Sequence, residues 1–263
     1  MSDATPRGDL LRMLKARRDE VRYALLFLTR LPVGHIAQLP PLAHAAWAFP
    51  IVGAVHGLII GLGYWAAHVL GLSNLVCALL AVLAGVVASG ALHEDGLADC
   101  VDGFGGGWTR ARKLEIMRDS RVGTYGVIAL IIALGLRISL YAEISKTYDV
   151  LCAAVGLGAL TRGFLPLAMA LLPAARKDGA AAEAAARLSS SVVGVSAVLS
   201  VTIALVLLGP SGLLAIGACL CAMSAMFLVA VRQIGGQTGD VLGAAHVIGE
   251  IAGLLAIATV LAP

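Results

Sequence analysis

Charged residues make up only 13% of this 263-residue chain, about half the share found in a soluble domain. A water-soluble globule is thereby excluded, and so is a disordered segment, which would be rich in charge. Aromatic residues are also scarce, at 5%, and the apolar runs are unbroken Ala, Leu, Val and Gly. Outer-membrane barrel strands alternate every second residue, so that class is excluded too. The five cysteines, Cys77, Cys100, Cys152, Cys219 and Cys221, include no C-x-x-C pair. Four lie inside apolar runs, where they read as small buried hydrophobes and call for no oxidising compartment. The first twenty residues are polar and basic, without an apolar core and small-residue cleavage site, so no removable signal peptide is expected.

What remains is apolar. Residues of that kind form 59% of the chain, and mean hydropathy is +0.92. These values predict an all-α polytopic bundle. A crossing needs about 20 apolar residues, and seven stretches qualify: 47–70, 75–91, 124–144, 150–172, 192–208, 212–231 and 241–262. Lys and Arg set the orientation. Sixteen of the nineteen fall on one side, while Lys146 alone lies opposite, and Arg137 and Arg162 sit within spans. The N-terminus and the basic loops are therefore expected in the cytoplasm of a multi-pass protein. Upstream, Leu10, Leu14, Val21, Leu25 and Leu28 recur at helical spacing among Arg12, Lys15, Arg17, Arg18 and Arg22, the pattern of an amphipathic helix lying in the membrane interface. The chain divides into this segment, 1–46, and a transmembrane catalytic domain, 47–263, with active-site loops at 92–124, 173–191 and 232–240.

Six of the sixteen acids fall between Leu92 and Thr124. If the second span continues as a helix, Asp95, Asp99 and Asp102 share one face within an arc of about 60°. Three carboxylates so close repel unless a cation or protons neutralise them. Oxygen ligands of this kind suit Mg²⁺ or Mn²⁺, completed by water and substrate phosphate. His93 points about 160° away on the same helix and is expected to act in acid/base chemistry or locally, not as a ligand. Gly105, Gly106 and Gly107 are expected to form a phosphate nest. Arg118, Ser120 and Arg121 are expected to hold phosphate oxygens, with Asp119 adding a carboxylate to the metal. Arg176 converges from another loop on the same side, and Thr238 and Asp240 stand at the N-terminus of the last span, where anions and caps are favoured. Arg162 and Glu250 lie roughly 15 Å inside the membrane by helical rise, a depth at which charges pair, so the two are expected to meet, directly or through water. Arg137, nearer the outer end of its span, is expected to snorkel.

The run from Leu92 to Gly103 (LHEDGLADCVDG), then Gly105-Gly106-Gly107, then Ile116 to Gly126 (IMRDSRVGTYG), resembles the signature of the cobalamin synthase family, the adenosylcobinamide-GDP ribazoletransferases. The segments from Phe27 to Val33, Phe49 to Gly53, Ala175 to Gly179 and Gly236 to Ala244 resemble further motifs of that family, so the likeness spans most of the chain. Cys100 departs from the pattern at a position off the aspartate face. The resemblance implies an enzyme of the bacterial inner membrane that depends on Mg²⁺. It would join adenosylcobinamide-GDP to α-ribazole, or to its 5′-phosphate, giving adenosylcobalamin or its 5′-phosphate and releasing GMP. Its partners would be these substrates, membrane lipid and other enzymes of cobalamin assembly, with no nucleic acid. Two alternatives are weaker. A CDP-alcohol phosphotransferase requires an Ala-Arg shortly after Asp-Gly, which Asp95-Gly96-Leu97-Ala98-Asp99 lacks. An ion or organic-solute transporter requires acids spread through depth on several spans, whereas here they gather at one loop.

Overall fold

A computed structural model describes residues 6–144, 146–176 and 178–261. The two ends of the chain, and Lys177 within the 175–179 motif, lie outside the described residues. Helix α1 (Pro6–Leu28) leads through the short α2 (Leu42–Ala45) and a single tight turn into α3 (Phe49–Val69). Next come α4 (Asn74–Ser89), α5 (Leu92–Gly106), α6 (Arg110–Ile116) and α7 (Thr124–Glu143). Then follow α8 (Thr147–Gly163), α9 (Leu165–Leu171), α10 (Ala180–Ala185), α11 (Ser190–Leu208), α12 (Ser211–Ile234) and α13 (Gly239–Leu261). Among the described residues six segments are long and apolar enough to cross a membrane, and the bent pair α4–α5 supplies a seventh. The expected all-α polytopic architecture is therefore the observed one, with span boundaries shifted by a few residues.

Burial orders the bundle into a centre and a rim. The most apolar stretch of the α8–α9 span is 83% buried and that of α13 is 72% buried, against 17% for α11 and 28% for α7 and α12. Lipid is as apolar as Leu, so helices inside a bilayer gain little by hiding Leu from it. Close backbone approach takes over that role. On α3, Gly53, Gly57 and Gly61 recur every fourth residue and face α8. A Cβ on Gly53 would fall inside the backbone of Gly158, and one on Gly57 inside that of Ala154. Gly253 of α13 likewise lies against Leu157 of α8 and Cys219 of α12. Pro166 ends α8 and restarts the chain as α9 within the same span, because proline lacks the N–H that would continue the ladder.

The expectation that the second span runs on through the acidic segment is corrected. Gly90 and Ala91 both adopt left-handed backbone, with φ of 64° and 58°, and α5 leaves α4 at 88°. Glycine takes this conformation freely, whereas alanine pays about 1–2 kcal/mol for it. Arg30 holds the corner from outside: its backbone N–H donates to the Ala88 carbonyl at 2.7 Å, and a side chain on Gly90 would strike the Arg30 side chain at 2.6 Å. The acidic segment is thus a separate helix that packs against α13 and α7.

Helix α1 is amphipathic as expected, but only its second half docks. Leu10, Leu11, Met13 and Leu14 are exposed, while Ala24 and Leu28 are buried. Glu20 ties it to the bundle by accepting from Trp47 Nε1 at 2.6 Å and from Arg17 at 2.8 Å. At the same end three loops are stitched together. Ala175 N–H donates to the Gln237 carbonyl and Gln237 N–H to the Pro173 carbonyl. Arg110 donates to the Ala175 carbonyl, and Lys113 to the Gln233 side chain.

Gly57→Leu is expected to abolish recovery of folded protein in detergent, since the α3–α8 backbones must separate to admit it. Gly135→Leu, on a face of α7 where an added Cβ meets nothing within 4 Å, should leave the thermal midpoint unchanged to within about 2 °C. Size-exclusion profiles and unfolding curves of the two variants check this.

Candidate active site

Helix α5 begins favourably, with Glu94 and Asp95 in its first turn against the positive end of the helix dipole. Gly96 lets it approach the start of α13: a Cβ there would stand 2.7 Å from the Asp240 carbonyl oxygen. The effect is to set Asp95 and Asp99 of α5 beside Asp240 of α13. Asp99 is crowded by Asp95, Asp240 and Asp102, with Arg176 as the cation facing them. Arg176 donates to Asp240 Oδ2 at 2.6 Å. Thr238 also donates to that oxygen, at 3.2 Å, and accepts from the N–H of Val241. Thr238 is thus the N-cap of α13, and its cap orients Asp240.

Asp102 has a different task from the one its register suggests. It is buried, and its two oxygens accept from the N–H groups of Gly123 and Gly126 at 2.7 and 2.8 Å. These donors belong to the first turn of α7, whose amides lack helical partners, so Asp102 anchors α7 to α5. Among the described residues no three of Asp, Glu, His and Cys close around one point as an all-protein metal cage. The donor set nonetheless suits Mg²⁺, which binds through one or two carboxylates and completes its shell with water and phosphate. One or two of Asp95, Asp99 and Asp240 would supply those carboxylates.

Asp119 is not brought to this group. It accepts from the Arg121 guanidinium at 2.7 and 3.0 Å and from the Arg121 N–H at 3.0 Å. Those bonds hold its carboxyl down to about 2. Arg118 makes a two-pronged pair with Asp178 at 2.7 and 2.8 Å. Ser120 lies on the exposed loop between them. Both ion pairs are exposed, where such pairs contribute little, so the two arginines are free to exchange a carboxylate for a phosphate. The glycine nest is corrected outright. Gly105 and Gly106 belong to α5, and no glycine from 103 to 107 has positive φ, whereas a nest requires alternating hands. These glycines make room instead. A Cβ on Gly105 would meet the Tyr125 ring at 3.1 Å, and one on Gly107 would meet Lys113 at 2.6 Å.

Deeper in the bundle lies a second group of charges. Arg137 is 1% exposed and donates to Glu94 at 2.6 Å, and it pairs with Glu250 at 3.2 Å. Glu250 also accepts from the Tyr141 hydroxyl at 3.3 Å and lies 3.8 Å from His246 Nε2. Snorkelling by Arg137 is therefore wrong, because two carboxylates offer the guanidinium a better partner than the distant interface. Arg162 and Glu250 make no direct hydrogen bond. Arg162 is fully buried in electrostatic reach of Glu250, but among the described residues none is within hydrogen-bond distance of its guanidinium. Sequence reasoning missed Glu94. The available signal was Arg137 itself, since a buried cation demands a carboxylate. His93 is buried with its ring 4.1 Å from that of His246, and it lines a cavity together with Asp95 and Asp240.

A polytopic helical bundle with an acidic, arginine-faced site at its polar end defines a multi-pass membrane protein with a charged site at one end. Comparison with known proteins narrows the class. The model of the cobalamin-5-phosphate synthase family matches residues 20–258, and the chain belongs to that family. An adenosylcobinamide-GDP ribazoletransferase of Bradyrhizobium diazoefficiens is 46% identical over 243 residues, covering 91% of this chain and 93% of its own. Proteins of the same name from Mesorhizobium japonicum and Azorhizobium caulinodans are each 45% identical, over 90% of this chain and 92% and 94% of theirs. No solved structure matches the chain.

Arg137→Leu leaves Glu94 and Glu250 buried without their cation and is expected to cost about 3–5 kcal/mol. Adding Glu94→Gln and Glu250→Gln should restore a large part of that loss. Reversible unfolding in mixed detergent measures both.

Proposed function

We propose that the chain is an adenosylcobinamide-GDP ribazoletransferase, joining the adenosylcobinamide phosphate group to α-ribazole or its 5′-phosphate with release of GMP. The observation that carries this reading is the convergence of Asp95 and Asp99 with Asp240 opposite Arg176. It is supported by relatives of nearly the same length that bear the name. Mg²⁺, or Mn²⁺ in its place, would be held by one or two of Asp95, Asp99 and Asp240 and would neutralise the diphosphate as charge develops on departing GMP. Arg176 stands on the same carboxylate and is placed to take up phosphate charge. Arg118 and Arg121 can turn from their exposed acids to the substrate. A ribose hydroxyl oxygen of α-ribazole attacks the phosphorus on the cobinamide arm and the bond to the GMP oxygen breaks. The hydroxyl proton passes to His93 or to a neighbouring carboxylate, all of which border one cavity. Asp102 acts at one remove, fixing the loop before α7 through Gly123 and Gly126.

The same reading places the chain in a bacterial inner membrane, with its N-terminus and site loops in the cytoplasm, where a nucleotide-activated substrate arrives. The bias of Lys and Arg to the polar end supports this.

Purified protein in liposomes, given both substrates and Mg²⁺, should release GMP. Chelation should stop release and Mn²⁺ should restore it. Asp95→Asn, Asp99→Asn and Asp240→Asn should each lower turnover by about 10²–10³-fold without changing the unfolding midpoint. Normal turnover in all three would remove the metal from the scheme. For orientation, a thiol reagent that cannot cross membranes should label Trp108→Cys, at a fully exposed loop position, only when given access to the cytoplasmic face. Tyr148→Cys, at the other end of the bundle, should label only from outside.

A further inference from the structure

We infer that an apolar cavity abutting the carboxylates receives the aromatic base of the acceptor, the dimethylbenzimidazole of the riboside; this rests on the transferase reading above. The cavity has a volume of about 150 Å³ and lies between the end of α1, the start of α5, α9 and the start of α13. Its walls are chiefly hydrocarbon and aromatic, including Phe27, Phe49, Leu165, Met169 and Leu242. Most of these side chains are themselves buried. The rings of Phe27 and Phe49 are nearly parallel, 12° apart with centroids separated by 6.4 Å. The two rings stack on each other and together form one aromatic stretch of the cavity lining.

Polarity is confined to one end, where His93, Asp95 and Asp240 border the space. An occupant must therefore have an apolar, flat body and a polar end reaching the carboxylates. Of the reacting species, the corrin macrocycle is too large. Guanine would bury amide and amino groups against hydrocarbon without partners, which costs several kcal/mol. A benzimidazole with two methyl groups carries no hydrogen-bond donor and suits such walls. With its base among the phenylalanines, the riboside's sugar lies at the His93–Asp95 end, where its hydroxyl must attack.

A second cavity, of about 230 Å³, lies across Asp240 and is lined by Arg176, Gln237 and Thr238. Arg176 offers a cation there for the phosphate of the departing nucleotide. In-line displacement requires the attacking and leaving oxygens on opposite sides of phosphorus. The two cavities share Phe27, Ala181, Gly239 and Asp240, so the two substrates would meet at Asp240.

Met169→Trp and, as a milder filling, Leu165→Phe are compared with the unaltered protein in liposomes. Each substrate is varied while the other is saturating, and binding of α-ribazole alone is measured by equilibrium dialysis. Filling the cavity should raise KM for α-ribazole and weaken its binding by about tenfold or more. KM for adenosylcobinamide-GDP should stay within about twofold, a change worth well under 1 kcal/mol. An unchanged KM for α-ribazole in both variants, or a rise in KM for the nucleotide substrate in its place, overturns the inference. Should the unaltered protein release no GMP, the transferase reading fails, and the dialysis comparison still decides whether the cavity binds the riboside.

Discussion

Everything at the polar end depends on one guanidinium held inside the bundle. Arg137 of α7 reaches Glu94 on α5 and Glu250 on α13, so a single cation joins three helices. A charge at that depth is costly unless paired, and here the pairing is also geometric information. Glu94 precedes Asp95 directly, so fixing Glu94 fixes the face on which Asp95 and Asp99 project. Glu250 sets the register of α13, and with it Asp240 ten residues earlier. Replacing such pairs by hydrocarbon need not weaken a fold. Their value in this chain lies in specifying which faces meet.

The second constraint is the absence of side chains where α5 must come close to its neighbours. Gly96 allows the Asp240 backbone to approach, and Gly126 allows α7 to approach Ala98 and the Asp102 carboxylate. The left-handed pair Gly90–Ala91 turns the chain at the corner. Together they convert an apolar span followed by an acidic stretch into a crossing helix and a separate helix set almost at right angles to it. A straight continuation would carry the aspartates along the axis of α4, away from α13.

The crossings were legible in the sequence because bilayer thickness imposes a length on every apolar run: six of the seven expected stretches are spans among the described residues, and the other is the α4 half of the bent pair. The grouping of Asp95 and Asp99 was legible for a related reason, helical periodicity within one element. What failed involved partners from other elements. Asp102 shares the aspartate face, yet the free amides at the start of α7 claim it. Gly105 to Gly107 have the composition of a phosphate nest, but the packing of Tyr125 and Lys113 against them explains the glycines. Arg137 and Arg162 look alike in sequence, and only the three-dimensional arrangement gives the two carboxylates to the first. Asp240 stood out as a helix-start residue, whereas its place beside Asp95 depends on a contact between segments more than 140 residues apart.

Depth separates two kinds of charge in this bundle. The deep set is balanced: Arg137 and Arg162 against Glu94 and Glu250, with neighbouring histidines. The shallow set is not, because Asp95, Asp99, Asp102 and Asp240 face Arg176 with a surplus of negative charge. Such a group would spread apart if its backbones were free to move. It does not, because the deep ion pairs, the Gly96 contact and the Asp102 anchor hold α5, α7 and α13 in place independently of the aspartates. The repulsion is therefore built in before any cation arrives. Under the proposed function, a divalent ion carrying a diphosphate would meet oxygens already oriented and would relieve repulsion that the fold maintains, the electrostatic preorganisation that phosphoryl transfer requires.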